Sequence, residues 1–288
     1  MLQPTVSLLT IVKGRRQNLH NLVRGVAALT RVPGELVVVH MNEPTDPDLP
    51  DPGCPLREVS IVSIGSDKLP IARARNHAAK MATGDILVFL DVDCIPAPDY
   101  LANLVPAVQA TRGLVMGSPH YLPAGSARAD WTTAELTRLA IPHPLLPEPP
   151  RGGVLAGQPY QLFWSLCFGL YRETFEQIGG FDESFHGYGG EDTDFAFVAR
   201  AAGIPFFVVD ARCYHQYHPT CTPPFNHLEN IVTNANVFRE KWGLWAMENW
   251  LTVFEQHGYV RWTEDELRVL RLPTQEVIDA HQSTDPFA

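Results

Sequence analysis

Two aspartates separated by one residue follow an uninterrupted apolar run in the first half of the chain. Ile86 to Leu90 consists of β-prone apolar residues, which is typical of a central strand covered on both faces. Such a strand has no exposed face for a charge, so Asp91 and Asp93 must lie where it leaves the sheet, with both side chains pointing the same way. Two carboxylates this close repel each other unless a cation lies between them. A hard divalent cation shared with substrate phosphates would satisfy that need, and solvated acids in a strand-end turn are the alternative.

A second pair of acids follows a glycine-rich segment. Residues 187–190 include three glycines, which allow close backbone approach, and Glu191 and Asp192 then open a helix predicted over 191–202. Carboxylates in this position can reach a bound ligand, and helix capping is the alternative explanation. The helix dipole is expected to lower the pKa of Asp192, which would keep this carboxylate ionised at neutral pH.

Two histidines three residues apart follow a strand predicted over 204–209. One imidazole, of His215 or of His218, can bind a metal while the other packs or contacts phosphate, and a purely structural role is the alternative. Pro219 restricts the backbone of His218 to extended geometry, which slightly favours His218 as the ligand.

The elements that must position these residues alternate between strands and helices. In the first half the predicted strands are 6–12, 35–40, 59–64 and 86–90, and the predicted helices are 18–29 and 70–82. This alternation predicts an α/β fold with a mostly parallel central sheet flanked by helices, whose ligands bind beyond the carboxyl ends of the strands. The residues expected on that rim are Lys13, Arg15, His40, Asn42 and Asp93.

The second half is less regular. Its predicted helices are 100–111, one starting at 172, 191–202, one from about 226, and 264–272, and its predicted strands are 113–117, 160–171 and 204–209. Residues 121–158 are rich in proline and glycine and predict a long surface excursion.

Composition limits the classes of protein. The 288 residues are 45% hydrophobic, and 32 acids against 22 lysines and arginines give a formal charge of −10, without a basic cluster suited to nucleic acid. No apolar run reaches the length that spans a bilayer, so we expect a cytoplasmic protein, free or peripheral to the membrane. The five cysteines lack paired spacing, which favours reduced thiols over a disulfide framework or a zinc site.

The order of these motifs resembles that of the family 2 glycosyltransferases of GT-A fold. The resemblance extends over roughly residues 5 to 242, and two blocks carry it. The first runs from Ala74-Arg75-Asn76 through Gly84-Asp85 to Asp91-Val92-Asp93. The second runs from Gly179-Gly180-Phe181-Asp182 to Gly189-Gly190-Glu191-Asp192, and it also resembles the Gly-Gly-Glu-Asp-x-Asp segment of β-1,4-galactosyltransferases.

The resemblance implies roles for particular residues. In those families the second Asp of Asp-x-Asp and a downstream His bind Mn²⁺ or Mg²⁺ on a nucleotide diphosphate, which implies a metal site at Asp93 with His215 or His218. A carboxylate of Glu-Asp acts as acceptor base, which implies this role for Asp192 and contact with acceptor hydroxyls for Glu191. The residues expected to contact the donor are Lys13, Arg15, Arg73, Asn76, Asp91 and Asp93.

The implied function is metal-dependent transfer of a sugar from a nucleotide-diphosphate sugar, with a UDP-sugar favoured, to a hydroxyl of a glycan, lipid-linked or small-molecule acceptor. One base without an evident second nucleophile favours inversion. A single domain would comprise a nucleotide-binding half over about 1–95, an acceptor half over about 96–242, and a helical extension over 243–288. One departure is His40-Met41-Asn42, which stands where many members carry an acid that reads uracil.

Three other functions share some of these features. A sugar-1-phosphate nucleotidyltransferase should carry a glycine-rich basic loop after the first strand, whereas Lys13-Gly14-Arg15-Arg16 has one glycine. A metal-dependent hydrolase could use the same aspartates and histidines. A noncatalytic sugar-binding module is the third alternative.

Overall fold

A mixed sheet of ten strands forms the centre of the computed structural model, which describes residues 3–64 and 68–287. The strands of this sheet and of two small two-stranded sheets are β1 Val6–Val12, β2 Glu35–Met41, β3 Leu56–Ile61, β4 Ile86–Leu90, β5 Cys94–Pro96, β6 Leu114–Tyr121, β7 Ile141–Pro142, β8 Val154–Ala156, β9 Cys167–Tyr171, β10 Phe206–His215, β11 Thr220–Cys221, β12 Val260–Trp262, β13 Leu267–Val269 and β14 Gln282–Ser283. The helices are α1 Arg16–Ala27, α2 Ile71–Met81, α3 Tyr100–Thr111, α4 Thr133–Leu139, α5 Arg172–Ile178, α6 Glu191–Ala201, α7 Leu228–Trp242, α8 Glu248–Gln256 and α9 Gln275–Ala280. Within the described residues, no helix is both long and apolar enough to cross a membrane.

The large sheet has the strand order β3-β2-β1-β4-β9-β6-β10-β5, with β7 and β8 paired to β6 and β10. Strands β3, β2, β1 and β4 run parallel, β9 is antiparallel to both β4 and β6, and β6 and β10 are again parallel. The predicted α/β fold with a mostly parallel sheet flanked by helices is confirmed.

Each of the central strands buries both of its faces, which explains their uninterrupted apolar sequences. On β4, Leu87 and Phe89 pack into the layer that contains α2 and α6. The alternate residues of β4 face the layer that contains α1 and α3. Since neither face is exposed to water, charged residues are tolerated only at the positions where such a strand ends.

Several predicted boundaries differ from the structure. The third strand is Leu56–Ile61 rather than 59–64, because the chain leaves β2 after Ile61, and Val62 and Ile64 are exposed. The strand predicted over 204–209 continues to His215, since β10 pairs with β6, β8 and β5 along its length. The strand predicted over 160–171 is limited to β9 and is preceded by a 3₁₀ turn.

The helix predicted over 264–272 is wrong. Residues 260–269 form a hairpin in which β12 pairs antiparallel with β13. Val260 and Leu267 are buried in an apolar cluster with α7 and α8. This packing outweighs the modest helix preference of the acidic turn between the two strands.

A buried amide on α7 holds the glycine-rich loop that precedes α6. Asn234 is fully buried, and its Nδ2 lies within hydrogen-bond distance of the carbonyl oxygens of His186, Tyr188 and Gly189, at 3.1, 3.3 and 2.8 Å. Its Oδ1 accepts a hydrogen bond from the backbone N–H of His186 at 3.2 Å. Gly187 and Gly189 adopt positive φ angles of 71° and 96° there, so the loop needs both glycine and this external anchor.

We expect Asn234→Ala to lower the free energy of unfolding by about 1–3 kcal/mol, because buried backbone groups of the loop would lose their partner. Urea denaturation measures this change. The matched control is Thr233→Ala, an exposed polar residue on the same helix whose hydroxyl donates to the carbonyl oxygen of Glu229 one turn earlier, and it should change the free energy by less than about 0.5 kcal/mol. Equal losses in the two variants would show that the amide of Asn234 does not anchor the loop.

Candidate active site

The backbone of Asp93 is fixed between two strands. The chain turns after β4, and β5 begins at Cys94, which pairs with His215 at the end of β10. The carbonyl oxygen of Asp93 accepts a hydrogen bond from the backbone N–H of Gln216 at 2.6 Å. The sequence positions 93 and 215–218 are therefore neighbours in space.

Asp93, His215 and His218 each offer one ligand atom, and these atoms lie within 4.8 Å of one another. The Nε2 of His218 is 3.8 Å from the Oδ2 of Asp93. The ring of His215 stacks on Tyr121 with a centroid distance of 4.5 Å. The sequence favoured one of the two histidines, whereas this geometry brings both to Asp93.

Burial keeps both imidazoles neutral at pH 7. It lowers the pKa of His215 to about 3, and the neighbouring His218 and Arg15 add to this effect. Burial also lowers the pKa of His218 to about 4, with Arg15 contributing. Neutral imidazole nitrogens can donate their lone pairs to a cation.

The donor set fits a divalent transition metal. One carboxylate with two imidazoles suits the divalent first-row transition metals. The carboxylate of Asp93 is also oriented by neighbours, as such ligands usually are, because the Nδ2 of Asn18 donates to its Oδ1 at 2.7 Å. Arg15 contacts the other oxygen, Oδ2.

Asp91 has a different partner, the buried guanidinium of Arg75. The Nη2 of Arg75 lies 3.2 Å from the Oδ1 of Asp91, and its Nη1 lies 2.9 Å from the Oε1 of Glu191. Arg75 is only 5% exposed and lies over the ring of Phe181 at 5.1 Å. This cation joins the end of β4 to the start of α6, so it brings the two acidic motifs into one site.

Asp192 follows Glu191 in the first turn of α6. Burial raises the pKa of Asp192 to about 7, and the charge of Glu191 raises it further than Arg75 lowers it. The prediction that the helix dipole would lower this pKa is wrong, because desolvation and the adjacent carboxylate outweigh the dipole. A carboxylate with this pKa can both accept and release a proton near neutral pH.

The third acid of the Glu-Asp-x-Asp motif, Asp194, has a structural role. It is buried and accepts hydrogen bonds from Lys241 at 2.9 Å and from the indole Nε1 of Trp242 at 2.7 Å. The same Lys241 Nζ lies 2.8 Å from Asp182. The segment 182–194 is thereby fastened to the end of α7.

The predicted donor-contacting residues fall into two groups. Asp93 belongs to the cluster of metal-ligand candidates formed by Asp93, His215 and His218, Arg15 contacts it, and Asp91 is close enough for its charge to act on Arg15 and His218. Lys13 lies on the neighbouring edge, where its Nζ donates to the carbonyl oxygen of Asn42 at 2.6 Å. His40 is buried and pairs with Glu58 at 2.9 Å, which is a structural role.

Arg73 and Asn76 lie on a different part of the site. The Nδ2 of Asn76 donates to the carbonyl oxygen of Phe181 at 2.8 Å, and its Oδ1 accepts the N–H of Phe181 at 2.8 Å, so this amide fixes the turn before Glu183. Arg73 donates to the carbonyl oxygen of Val62 at 3.0 Å. It lines a cavity of about 220 Å³ that Glu183 also borders.

Sequence reasoning missed several residues of the site. Gln216 lies between the two histidines, and its Nε2 donates to the carbonyl oxygen of Asn18 at 3.0 Å, which ties α1 to the cluster. Tyr188, which is 41% exposed, stacks on His227 with a centroid distance of 4.5 Å. Glu43 accepts the N–H of Gly14 at 2.7 Å. Gln216 and Glu43 were detectable, since each adjoins a predicted site residue.

Two family descriptions match this chain. Residues 59–179 match Glycosyl transferase family 2, and residues 156–219 match the N-terminal domain of galactosyltransferase. The O-antigen biosynthesis protein RfbC of Myxococcus xanthus is 30% identical over 211 residues, which cover 70% of this chain and 16% of that protein. Together the two family matches include Asp91, Asp93, Glu191, Asp192 and both histidines.

Solved structures share the fold. The structure of GalNAc-T7 with UDP, GalNAc and Mn²⁺ has a TM-score of 0.55 at 17% identity, covering 75% of this chain and 44% of that one. The mannosyltransferase PcManGT of Pyrobaculum calidifontis, in complex with GDP-Man and Mn²⁺, has a TM-score of 0.51 at 20% identity, covering 83% of this chain and 65% of that one. Over residues 59–179 the chain matches the family 2 glycosyltransferases, and its fold is the GT-A fold.

Proposed function

We propose that this chain transfers a sugar from a nucleotide-diphosphate sugar to an acceptor hydroxyl, with metal dependence and inversion. The observation that carries the proposal is the link through Arg75 between Asp91, which adjoins the candidate metal ligands, and Glu191, which adjoins the candidate base. A UDP-sugar is the favoured donor, and the UDP in the GalNAc-T7 structure supports it, whereas PcManGT holds a GDP-sugar.

The donor side is proposed to comprise residues from the carboxyl ends of the strands. Asp93, His218 and His215 would hold Mn²⁺ or Mg²⁺, which when bound stabilises the negative charge that develops on the departing diphosphate. Arg15 and Lys13 would supply positive charge to the same phosphates. Asp91 would orient this edge of the site through Arg75 or contact the ribose.

Arg73 and Asn76 are proposed to act without direct contact with the phosphates of the donor. Asn76 fixes the turn at Phe181, and Arg73 borders the cavity beside Glu183. Both would therefore shape the site rather than hold the cation.

Asp192 is the proposed acceptor base. It would take the proton of the acceptor hydroxyl while that oxygen bonds to the anomeric carbon and the bond from this carbon to the diphosphate breaks, which inverts the configuration. Glu191, held by Arg75, would support this role because its charge helps to raise the pKa of Asp192 to about 7. Glu191 is also the candidate for contact with acceptor hydroxyls.

The acceptor is proposed to be a glycan, lipid-linked or small-molecule hydroxyl compound, encountered in the cytoplasm or at a membrane surface. The proposed division of the chain remains a nucleotide-binding half over about 1–95, an acceptor half over about 96–242 and an extension over 243–288.

We expect incubation with a panel of nucleotide sugars, an acceptor and Mn²⁺ to release nucleoside diphosphate, and calorimetry to show that UDP binding requires a divalent cation. Asp93→Ala should abolish this cation dependence. The control Asp130→Ala removes an exposed carboxylate and should bind UDP as wild type does.

Release of pyrophosphate would instead indicate a nucleotidyltransferase, and donor binding without any release would indicate a sugar-binding module. UDP and GDP binding that is equally tight with EDTA in both proteins would refute the metal assignment.

The two histidines should differ in their effect on Mn²⁺ affinity. We expect His218→Ala to cause the larger loss, because the His218 Nε2 faces Asp93 whereas His215 also packs on Tyr121. Titration of each variant with Mn²⁺ in the presence of UDP measures the loss. His120→Ala, which removes a buried histidine of β6, is the matched control. Unchanged titrations in both variants would remove histidine from the coordination sphere.

Replacement of Asp192 by Asn should retain donor binding and lower transfer by a factor of about 10² or more. Since protonation inactivates a base, wild-type kcat/KM should fall as the pH drops below about 7, the pKa to which burial raises Asp192. The residual activity of the variant should lack this dependence on pH. Stopped assays over pH 5.5 to 8.5 with saturating Mn²⁺ measure both effects.

Glu191→Gln provides the comparison for this variant. If Glu191→Gln loses transfer while Asp192→Asn retains it, the two roles are exchanged. If both variants retain transfer, the base lies elsewhere.

A further inference from the structure

Arg15 occupies the same carboxylate oxygen that a bound cation would need. Its Nη1 contacts the Oδ2 of Asp93, and the Nε2 of His218 approaches this oxygen to 3.8 Å. Asn18 already donates to the other oxygen at 2.7 Å. Both oxygens of the candidate metal ligand are therefore engaged by donors of the protein itself.

A guanidinium and a divalent cation on one carboxylate oxygen repel each other, so Arg15 in this position weakens the binding of a cation by Asp93. The guanidinium of Arg15 stays positively charged at neutral pH, so Arg15 cannot release Asp93 by losing a proton. The guanidinium can release the Oδ2 of Asp93 only by moving away from it. The side chain of Arg15 is 38% exposed, whereas its carbonyl oxygen is held by the N–H of Leu19 at 3.0 Å, so the guanidinium can move while the backbone stays in place.

We infer that Arg15 makes the metal site conditional on the nucleotide: the diphosphate must draw the guanidinium away from Asp93 before a divalent cation can bind there tightly. This inference rests on the proposed function. A diphosphate is a better partner for Arg15 than a single carboxylate, because its oxygens match the two-pronged guanidinium and carry more charge. Arg15 is thus a positioning residue, acting on the cation through Asp93.

The same arrangement links the two ligands reciprocally. If the nucleotide raises the affinity for the cation, the cation raises the affinity for the nucleotide by the same factor. Part of that factor comes from direct contact between cation and phosphate, and Arg15 adds the part that comes from releasing Asp93. Removal of Arg15 should therefore strengthen the binding of the cation alone and reduce its dependence on the nucleotide.

The test is a titration with Mn²⁺ followed by the paramagnetic resonance signal of the free ion, with and without UDP. We expect Arg15→Gln to bind Mn²⁺ alone on the order of tenfold more tightly than wild type, and to gain less affinity when UDP is added. Arg15→Met keeps the unbranched apolar stem and should give the same result if the Gln variant does not fold. Arg15→Lys keeps a cation beside Asp93 and should leave Mn²⁺ binding alone as weak as in wild type.

Arg16→Gln is the matched control. It removes the same charge one residue away, from a side chain that pairs with Asp46 and Asp48, and it should bind Mn²⁺ as wild type does. If Arg15→Gln and Arg15→Met bind Mn²⁺ alone no more tightly than this control, Arg15 does not compete for the site and the inference fails. If wild type binds no Mn²⁺ even with UDP or GDP present, the proposed metal site itself fails, which is a different outcome.

Discussion

A buried guanidinium is the constraint on which the site depends. Arg75 projects from α2 between Asp91 and Glu191, and its pairing with Glu191 joins residues 116 positions apart in the chain. Removing one partner of a buried ion pair typically costs about 3–5 kcal/mol, because the other charge is left uncompensated. Separation of the start of α6 from the end of β4 would therefore leave a buried charge without its ion-pair partner. One side chain sets the distance between the two acidic motifs.

Burial also sets the protonation states of the site, and it acts in opposite directions on bases and acids. It lowers the pKa of His215 to about 3 and of His218 to about 4, and it raises the pKa of Asp192 to about 7. At neutral pH the imidazoles thus offer free lone pairs, and Asp192 stands near the middle of its titration. Burial thus prepares the two histidines to bind a cation and Asp192 to accept a proton.

The sequence predicted those features that depend on neighbours along the chain. The bounds of β1 and β4 follow from apolar runs that end at charged or polar residues. The expectation that the two acidic motifs serve one site came from the family resemblance that their order carries. The sequence could not predict features set by distant packing. The pKa of Asp192 depends on how deeply α6 is buried, and the hairpin over 260–269 depends on its contacts with α7 and α8. The anchoring of the glycine-rich loop by Asn234 likewise joins residues that no local pattern connects.

The ion pairs of Lys241 determine which segment must be exchanged as a unit when such a site is moved from one related chain to another. Its ammonium group neutralises both Asp182 and Asp194, of which Asp194 is almost wholly buried. A segment that carries the acidic motif but ends before α7 would leave the buried carboxylate of Asp194 and the partly exposed carboxylate of Asp182 without their counter-charge. The smallest exchangeable unit is therefore not the motif-bearing stretch 179–194 but this stretch together with α7, so a chimera designed on sequence motifs alone would separate charges that the fold keeps together.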